Sequence, residues 1–213
     1  IAHTQNKLWL VSSTNTIFKE YNITLQPSFT ATFVRDIPYP VGYTPSLGLA
    51  ALSDTLLLAV NASTNPAVVV EIDVSGPTPI MTNKFSLDLN RRVTGDFFKT
   101  TNNKFIATLT STVAPTNYVV QYDYLTGVRE FQKTLPGISL AYGVFEIGSS
   151  LYLGRQLGQI YSMDYNPPYV TAFVQTAPTG FAGASQPPNC LDHSFVLTPI
   201  KQITDCSTNE VYI

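Results

Sequence analysis

Short apolar strands alternate along this chain with polar or glycine-bearing turns, and four stretches repeat one arrangement at a spacing near 48 residues. Each copy opens on a short glycine-headed strand, passes a polar position, enters an apolar strand and, after a loop, a second strand. The second strands read IFKEYNI, VVVEIDV, VVQYDYL and IYSMDYN. Gly48, Gly95 and Gly143, 47 and 48 residues apart, open GLAAL, GDFFK and GVFEI. Asn6, Asp54, Asn103 and Ser149 stand before KLWLVSS, TLLLAVN, KFIATLT and SLYLGRQ, and Tyr21, Ile72, Tyr122 and Met163 mark the second strands. A period of this length built from about four short strands is the signature of a β-propeller blade rather than of a helical repeat.

Alternation, as in Thr30-Ala31-Thr32-Phe33-Val34, predicts strands near Lys7–Ser12, Thr16–Ile23 and Phe29–Arg35, and an outer strand is expected near Met81–Leu87 after the turn Ser75-Gly76-Pro77. Leu125-Thr126-Gly127 is expected to turn VVQYDY into VREFQKT, glycine supplying the positive φ, and Asn166-Pro167-Pro168 to do the same in the next repeat. The repeats divide the chain at about 1–46, 47–92, 93–140, 141–179 and 180–213; the last is degenerate, with one clear strand at Ser194–Thr198 and with Pro187-Pro188 opposing a regular strand near its start. The expectation is an all-β, single-domain, five-bladed propeller with almost no helix. Ile1 aligns with Leu49, so the residue preceding Ile1 corresponds to Gly48. With no initiating Met and an end at TNEVYI inside a repeat, the sequence reads as a piece of a longer polypeptide.

Composition narrows the class. A chain of 213 residues can bury a full core without staples. Charged residues are only 12%, about half the usual share, so Thr, Ser, Asn and Gln carry the polarity, a profile suited to extracellular and virion β proteins. Net charge is −2 and Arg91-Arg92 is the one basic pair, which excludes a phosphate-neutralising surface for nucleic acid. The longest apolar stretch, near Leu56–Val60, is far too short for a membrane-spanning helix. Cys190 and Cys206 are candidate disulfide partners closing a loop of about 15 residues, worth roughly 3 kcal/mol on the chain-entropy model; two free thiols are the alternative. No CxxC or His set makes them zinc ligands.

Candidate chemistry is sparse. Counting from the leading glycines aligns His3, Ala51, Phe98 and Glu146 at one position and Ile1, Leu49, Asp96 and Val144 at another. His3, Asp96 and Glu146 therefore head for the propeller axis, where a carboxylate–histidine set binds a divalent metal or does acid–base work, or where single polar residues simply hydrogen-bond. His193, after Asp192, reads as a surface turn residue, and Asp54 and Asp73 as isolated acids. No GxSxG, sialidase box, phosphate loop or paired-Cys motif occurs, so no catalytic residue, metal or cofactor is expected. Asn22-Ile23-Thr24 and Asn61-Ala62-Ser63 are glycan-acceptor triplets at a frequency chance explains. Trp9, Tyr21, Tyr122, Tyr152 and Tyr161 are expected in the core; Tyr39, Tyr43, Tyr142 and Tyr169 are expected to pin their own loops, exposed sugar-stacking being the other role for such residues.

The stretches IAHTQNKLWLVSSTNTIFKEYNITLQPSFTATF, VTGDFFKTTNNKFIATLT, YGVFEIGSSLYLG and GASQPPN before Cys190 resemble propeller-like modules in structural proteins of marine tailed phages, especially those infecting cyanobacteria. The resemblance covers nearly the whole chain and carries no catalytic motif. It implies a non-enzymatic virion component, such as a tail, fibre or capsid-decorating module, that contacts neighbouring virion or surface proteins or a host glycan. The alternative is a secreted or cell-surface carbohydrate- or protein-binding propeller. Both place the protein on a virion or outside the cell, without nucleic acid or membrane insertion.

Overall fold

The computed structural model describes residues 2–12, 16–24, 30–114, 116–135, 141–147, 150–155, 158–164, 171–176, 204–205 and 210–211. Four antiparallel four-stranded meanders follow one another along the chain. The first comprises β1 (Ala2–His3), β2 (Lys7–Ser12), β3 (Ile17–Thr24) and β4 (Thr30–Pro38). The second comprises β5 (Ala50–Ala51), β6 (Leu56–Asn61), β7 (Val68–Asp73) and β8 (Ile80–Ser86). The third holds β9 (Arg91–Lys99), β10 (Lys104–Ser111), β11 (Asn117–Asp123) and β12 (Arg129–Thr134). The fourth holds β13 (Ala141–Ile147), β14 (Ser150–Arg155), β15 (Gln159–Asp164) and β16 (Thr171–Thr176). In each, strands are neighbours in chain order, and the leading strands contact one another in series, β1 with β5, β5 with β9 and β9 with β13. Four radial sheets joined through their first strands are four blades of a β-propeller. A short pair, β17 (Thr204–Asp205) with β18 (Glu210–Val211), follows. No helix occurs among the described residues.

Alternation along the middle strands explains the stacking. In β10, Phe105, Ala107 and Leu109 join the cluster against blade 2, whereas Ile106 joins the one against blade 4. In β7, Val69 faces blade 3, and Val70 and Ile72 face blade 1. Successive residues of a strand point to opposite sheet faces, so a strand buried on both faces carries an unbroken apolar run, as LLLAV in β6 and FIA in β10 do. Three clusters result: Trp9, Phe18 and Ile37 with Leu57 and Ile72; Leu58, Val60 and Val69 with Phe105, Val120 and Tyr122; Ile106 and Val119 with Leu151, Leu153 and Met163. Each fully buried side chain of this size contributes roughly 1.5–3 kcal/mol.

The repeating glycine has a packing reason. Gly48 has φ of +91°, and a Cβ there would lie 2.4 Å from the Gly95 carbonyl oxygen of the next blade and 2.9 Å from the Phe97 ring. Glycine lets the leading segments of neighbouring blades converge at the axis. Pairing of each third strand with its outer strand is interrupted by a register shift in all four blades, between Glu20 and Tyr21, Val69 and Val70, Gln121 and Tyr122, and Ile160 and Tyr161. Such bulges raise local twist and turn the outer strand away from the mean plane of the blade.

The strands predicted near Lys7–Ser12, Thr16–Ile23, Phe29–Arg35 and Met81–Leu87 are β2, β3, β4 and β8. Gly127 (φ +71°) closes the Asp123-to-Val128 turn as expected, where the Asp123 carboxylate accepts the amides of Leu125 and Thr126. Two registers differ from simple residue counting. Tyr21, Ile72, Tyr122 and Met163 pair with Leu8, Leu57, Phe105 and Leu151, so Thr55 rather than Asp54 is the counterpart of Asn6. Across from those residues stand His3, Ala51, Lys99 and Glu146, so Lys99 takes the place expected of Phe98. One extra turn residue in the second repeat and the register shift in β9–β10 between Ala107 and Leu109 account for both slips. The expected strand Ser194–Thr198, the turn Asn166-Pro167-Pro168, the pair Cys190 and Cys206, Asp192, His193 and Tyr169 lie outside the described residues, as does the fifth repeat apart from β17 and β18.

Candidate functional site

The axis is the first place where chemistry would converge. His3 and Asp96 are buried and Glu146 is half-buried. His3 and Glu146 occupy equivalent levels at the ends of β1 and β13, but Asp96 stands three residues before Lys99, the residue of β9 at that level. At about 3.3 Å per residue, Asp96 is displaced about 10 Å along its strand. Among the described residues, no three His, Cys, Asp or Glu side chains form a group able to hold a metal ion. The His3 imidazole Nδ1 lies 3.2 Å from the Thr4 carbonyl oxygen, a local contact at the β1–β2 turn. Near Asp96 in β9 a polar strip runs through the core: Thr94, Thr108 and Thr110 are all buried, with the Thr94 hydroxyl donating to the Thr108 carbonyl at 3.3 Å.

The charged groups that do converge sit between blades rather than on the axis. Glu20, 4% exposed, takes the Lys7 ammonium on one carboxylate oxygen (2.5 Å) and the Arg35 Nε on the other (2.6 Å). Arg35 then crosses to the next blade, donating to the carbonyls of Val74 (2.5 Å) and Gly76 (3.2 Å). Burial alone would raise the Glu20 pKa, but the hydrogen bonds and charges of Lys7 and Arg35 outweigh it and hold the carboxyl below its usual range. The same position in blade 2 is Glu71, which accepts the Tyr124 hydroxyl of blade 3 at 2.6 Å and faces Lys84 at 3.6 Å. In blade 3 it is Gln121, which donates to Glu130, itself paired with Lys104. Blades 1–2 and 2–3 are thus tied by a third-strand carboxylate bonded, directly or through Arg35, to the end of the next third strand. Burial and the Glu71 bond push the Tyr124 phenol far above its ordinary range. A further tie lies at the β1–β2 turn, where Asp54 accepts from the Thr4 hydroxyl and the Asn6 amide (3.2 Å) of blade 1. Glu20, Glu71 and Gln121 share one place in the repeated second-strand pattern, but their partners across the seams carry no sequence signature.

The aromatic residues divide more finely than expected. Trp9 and Tyr122 are fully buried, but Tyr21, Tyr152 and Tyr161 are only half-buried. Tyr39 and Tyr43 pack on Phe18 with ring centroids 4.6 and 5.9 Å away and on each other at 5.2 Å, which anchors the β4–β5 loop. Tyr142 falls on β13, not in a loop. Of the two acceptor triplets, Asn61 is buried and engaged: its amide donates to the Gly42 carbonyl (3.0 Å) and accepts from the amides of Thr44 (2.9 Å) and Ser63 (3.1 Å). Asn22 is exposed on β3. The outer strands offer the most open surface: β4 exposes Phe33 and Val34, β8 exposes Ile80, and β16 exposes Phe173 and Val174.

No known protein-family model matches the chain, and no curated protein matches it significantly. Distant likenesses to solved structures exist. Prolyl oligopeptidase B from Galerina marginata is 13% identical with a TM-score of 0.47, over 80% of this chain and 24% of that one. A chain of a nidogen/laminin complex is 11% identical with a TM-score of 0.48, over 76% and 57%. BamB from Moraxella catarrhalis is 13% identical with a TM-score of 0.41, over 83% and 64%. In each case this chain spans less than two-thirds of the matched chain. The propeller assignment rests on the sheet order and the serial contacts of the leading strands.

Proposed function

We propose that residues 180–213 complete a fifth blade and that the propeller is a non-enzymatic structural or host-attachment module of a virus particle. It acts at the particle surface or outside the cell, through contacts with neighbouring virion or surface proteins or with a host glycan. The observation that carries this reading is the exposed outer edge: β4 runs nine residues with Ile37 as its only buried side chain, and it offers Thr30, Thr32, Phe33 and Val34 to a partner. A long edge strand with neutral polar and apolar side chains is a surface for strand-to-strand or face contact. The low charge and the wording of the repeats support the same reading.

The test is peptide mapping of purified particles against the soluble fraction of the native source. Recovery in particles, with peptides extending beyond Ile1 and Ile213, is the expected result; recovery solely as a free protein of this length would overturn it. A secreted or cell-surface binding propeller is the second reading, favoured by the Tyr161–Phe173 pair (5.7 Å, edge-on), whose exposed Phe173 suits stacking on a sugar. Binding on a glycan array that is lost in Phe173→Ala, by a protein recovered only in the soluble fraction, would select it.

A further inference from the structure

Blade 1 carries a packing face that its equivalents in the other blades bury completely. Leu8 pairs across the sheet with Tyr21, as Leu57 does with Ile72, Phe105 with Tyr122 and Leu151 with Met163. In blades 2, 3 and 4 those six side chains are at most 1% exposed, each set pressed against the preceding blade. In blade 1, Leu8 and Tyr21 are half-buried, and so are Leu10 and Ile17. Trp9, Val11 and Phe18 belong to the cluster facing blade 2. By alternation, Leu8, Leu10, Ile17 and Tyr21 form the opposite face. Tyr21 is edge-on to Phe33 at 5.6 Å, at the rim of this face. Among the described residues, β13 makes no contact with β1 comparable to its contact with β9, so blade 4 does not supply the missing neighbour.

We infer that this face of blade 1 is a ring-closing seam and that its occupant is the chain's own segment 180–213, an inference that rests on the five-bladed reading above. The described strands of blade 4 end at Thr176, and the 37 residues from 177 to 213 approach one repeat in length. They open on Gly180 and Gly183, as the other repeats open on glycine, and hold the apolar runs Phe195-Val196-Leu197 and Val211-Tyr212-Ile213. A blade that follows blade 4 in a five-membered ring lies between blades 4 and 1. It brings to blade 1 the kind of apolar face that blades 1, 2 and 3 bring to blades 2, 3 and 4. The far face of blade 4 carries the stacked pair Phe145–Tyr152 (5.5 Å), outside the cluster shared with blade 3, as the other wall of the same seat.

The experiment places the photo-crosslinking residue p-benzoylphenylalanine at Tyr21 in one full-length chain and at Tyr152 in another, and maps adducts by peptide mass spectrometry at dilute concentration. Intramolecular adducts to residues 180–213 from both positions are expected. Adducts to that segment from Tyr152 but not from Tyr21 would overturn ring closure on blade 1 while leaving a fifth blade in place. The absence of adducts to it from either position would remove the fifth blade as well. Adducts from Tyr21 joining two copies of the chain would assign the face to self-association and also overturn the inference. None of these outcomes bears on recovery in particles, so the functional reading stands or falls separately.

Discussion

At the scale of single residues, the most consequential side chain is Glu20, because one carboxylate pairs with two cations and, through Arg35, fastens blade 1 to the backbone of blade 2. Glu20→Gln keeps the shape and removes the charge, leaving Lys7 and Arg35 as cations without their counter-ion. The loss is about 2 kcal/mol by chemical denaturation, of the order for a hydrogen bond to charged groups. The pH dependence has a definite sign. With its folded-state pKa below the unfolded carboxylate value of about 4.3, Glu20 contributes its full stability above that value and loses it as pH falls through the folded pKa. Glu20→Gln should therefore flatten the acid limb of the stability curve relative to wild type; an unchanged acid limb would mean the carboxylate is not what the two cations hold.

At the scale of elements, the glycines separate close approach from backbone conformation. Gly48 and Gly42 both have positive φ, +91° and +79°, but a Cβ at Gly48 meets the Gly95 carbonyl whereas a Cβ at Gly42 meets nothing within 4 Å. Gly42→Ala should cost only the strain of a left-handed alanine, about 1 kcal/mol, and Gly48→Ala about 3 kcal/mol or more, read as a difference in denaturation midpoint. The positions of β2, β3 and β4 follow from period-two alternation, that of β8 from the turn before it, and the leading glycines announce the axis. The slips of one residue at Asp54 and at Phe98 were not legible, because counting treats each residue as one step while an added turn residue or a bulge absorbs one without changing composition. The inter-blade role of Glu20 was hidden for a related reason: Arg35 stands 15 residues away and its acceptors are backbone carbonyls of the next repeat, which have no sequence signature. Half-burial of Tyr21 and Tyr152 was equally invisible, since the pattern places them on a packing face without saying which neighbour the face has.

At the scale of the whole molecule, three phenols sit in the seams that hold the blades together, and their ionisation couples pH to blade stacking. Burial pushes Tyr122 up to about 12, and carries Tyr43 and Tyr124 further from the ordinary phenol range. For a raised phenol the folded state holds the proton that the unfolded chain releases near pH 10, so the stability is fully present below that pH and falls as pH rises from there through the folded value. Stability should therefore drop steeply above pH 10, and phenolate absorbance at 295 nm should lag, a fraction of the 12 tyrosines ionising together with the loss of β-sheet signal rather than before it. Two variants divide the effect. Tyr124→Phe removes the bond to Glu71 across the blade 2–3 seam and should cost about 1.5 kcal/mol at neutral pH. The Tyr43 hydroxyl is buried with no hydrogen-bond partner among the described residues, so Tyr43→Phe should leave neutral stability unchanged or raise it by up to about 1 kcal/mol, and should soften the alkaline loss. A Tyr43→Phe protein that is less stable at pH 7 would show that the hydroxyl is bonded, and would move the alkaline coupling to the Tyr122 and Tyr124 seam alone.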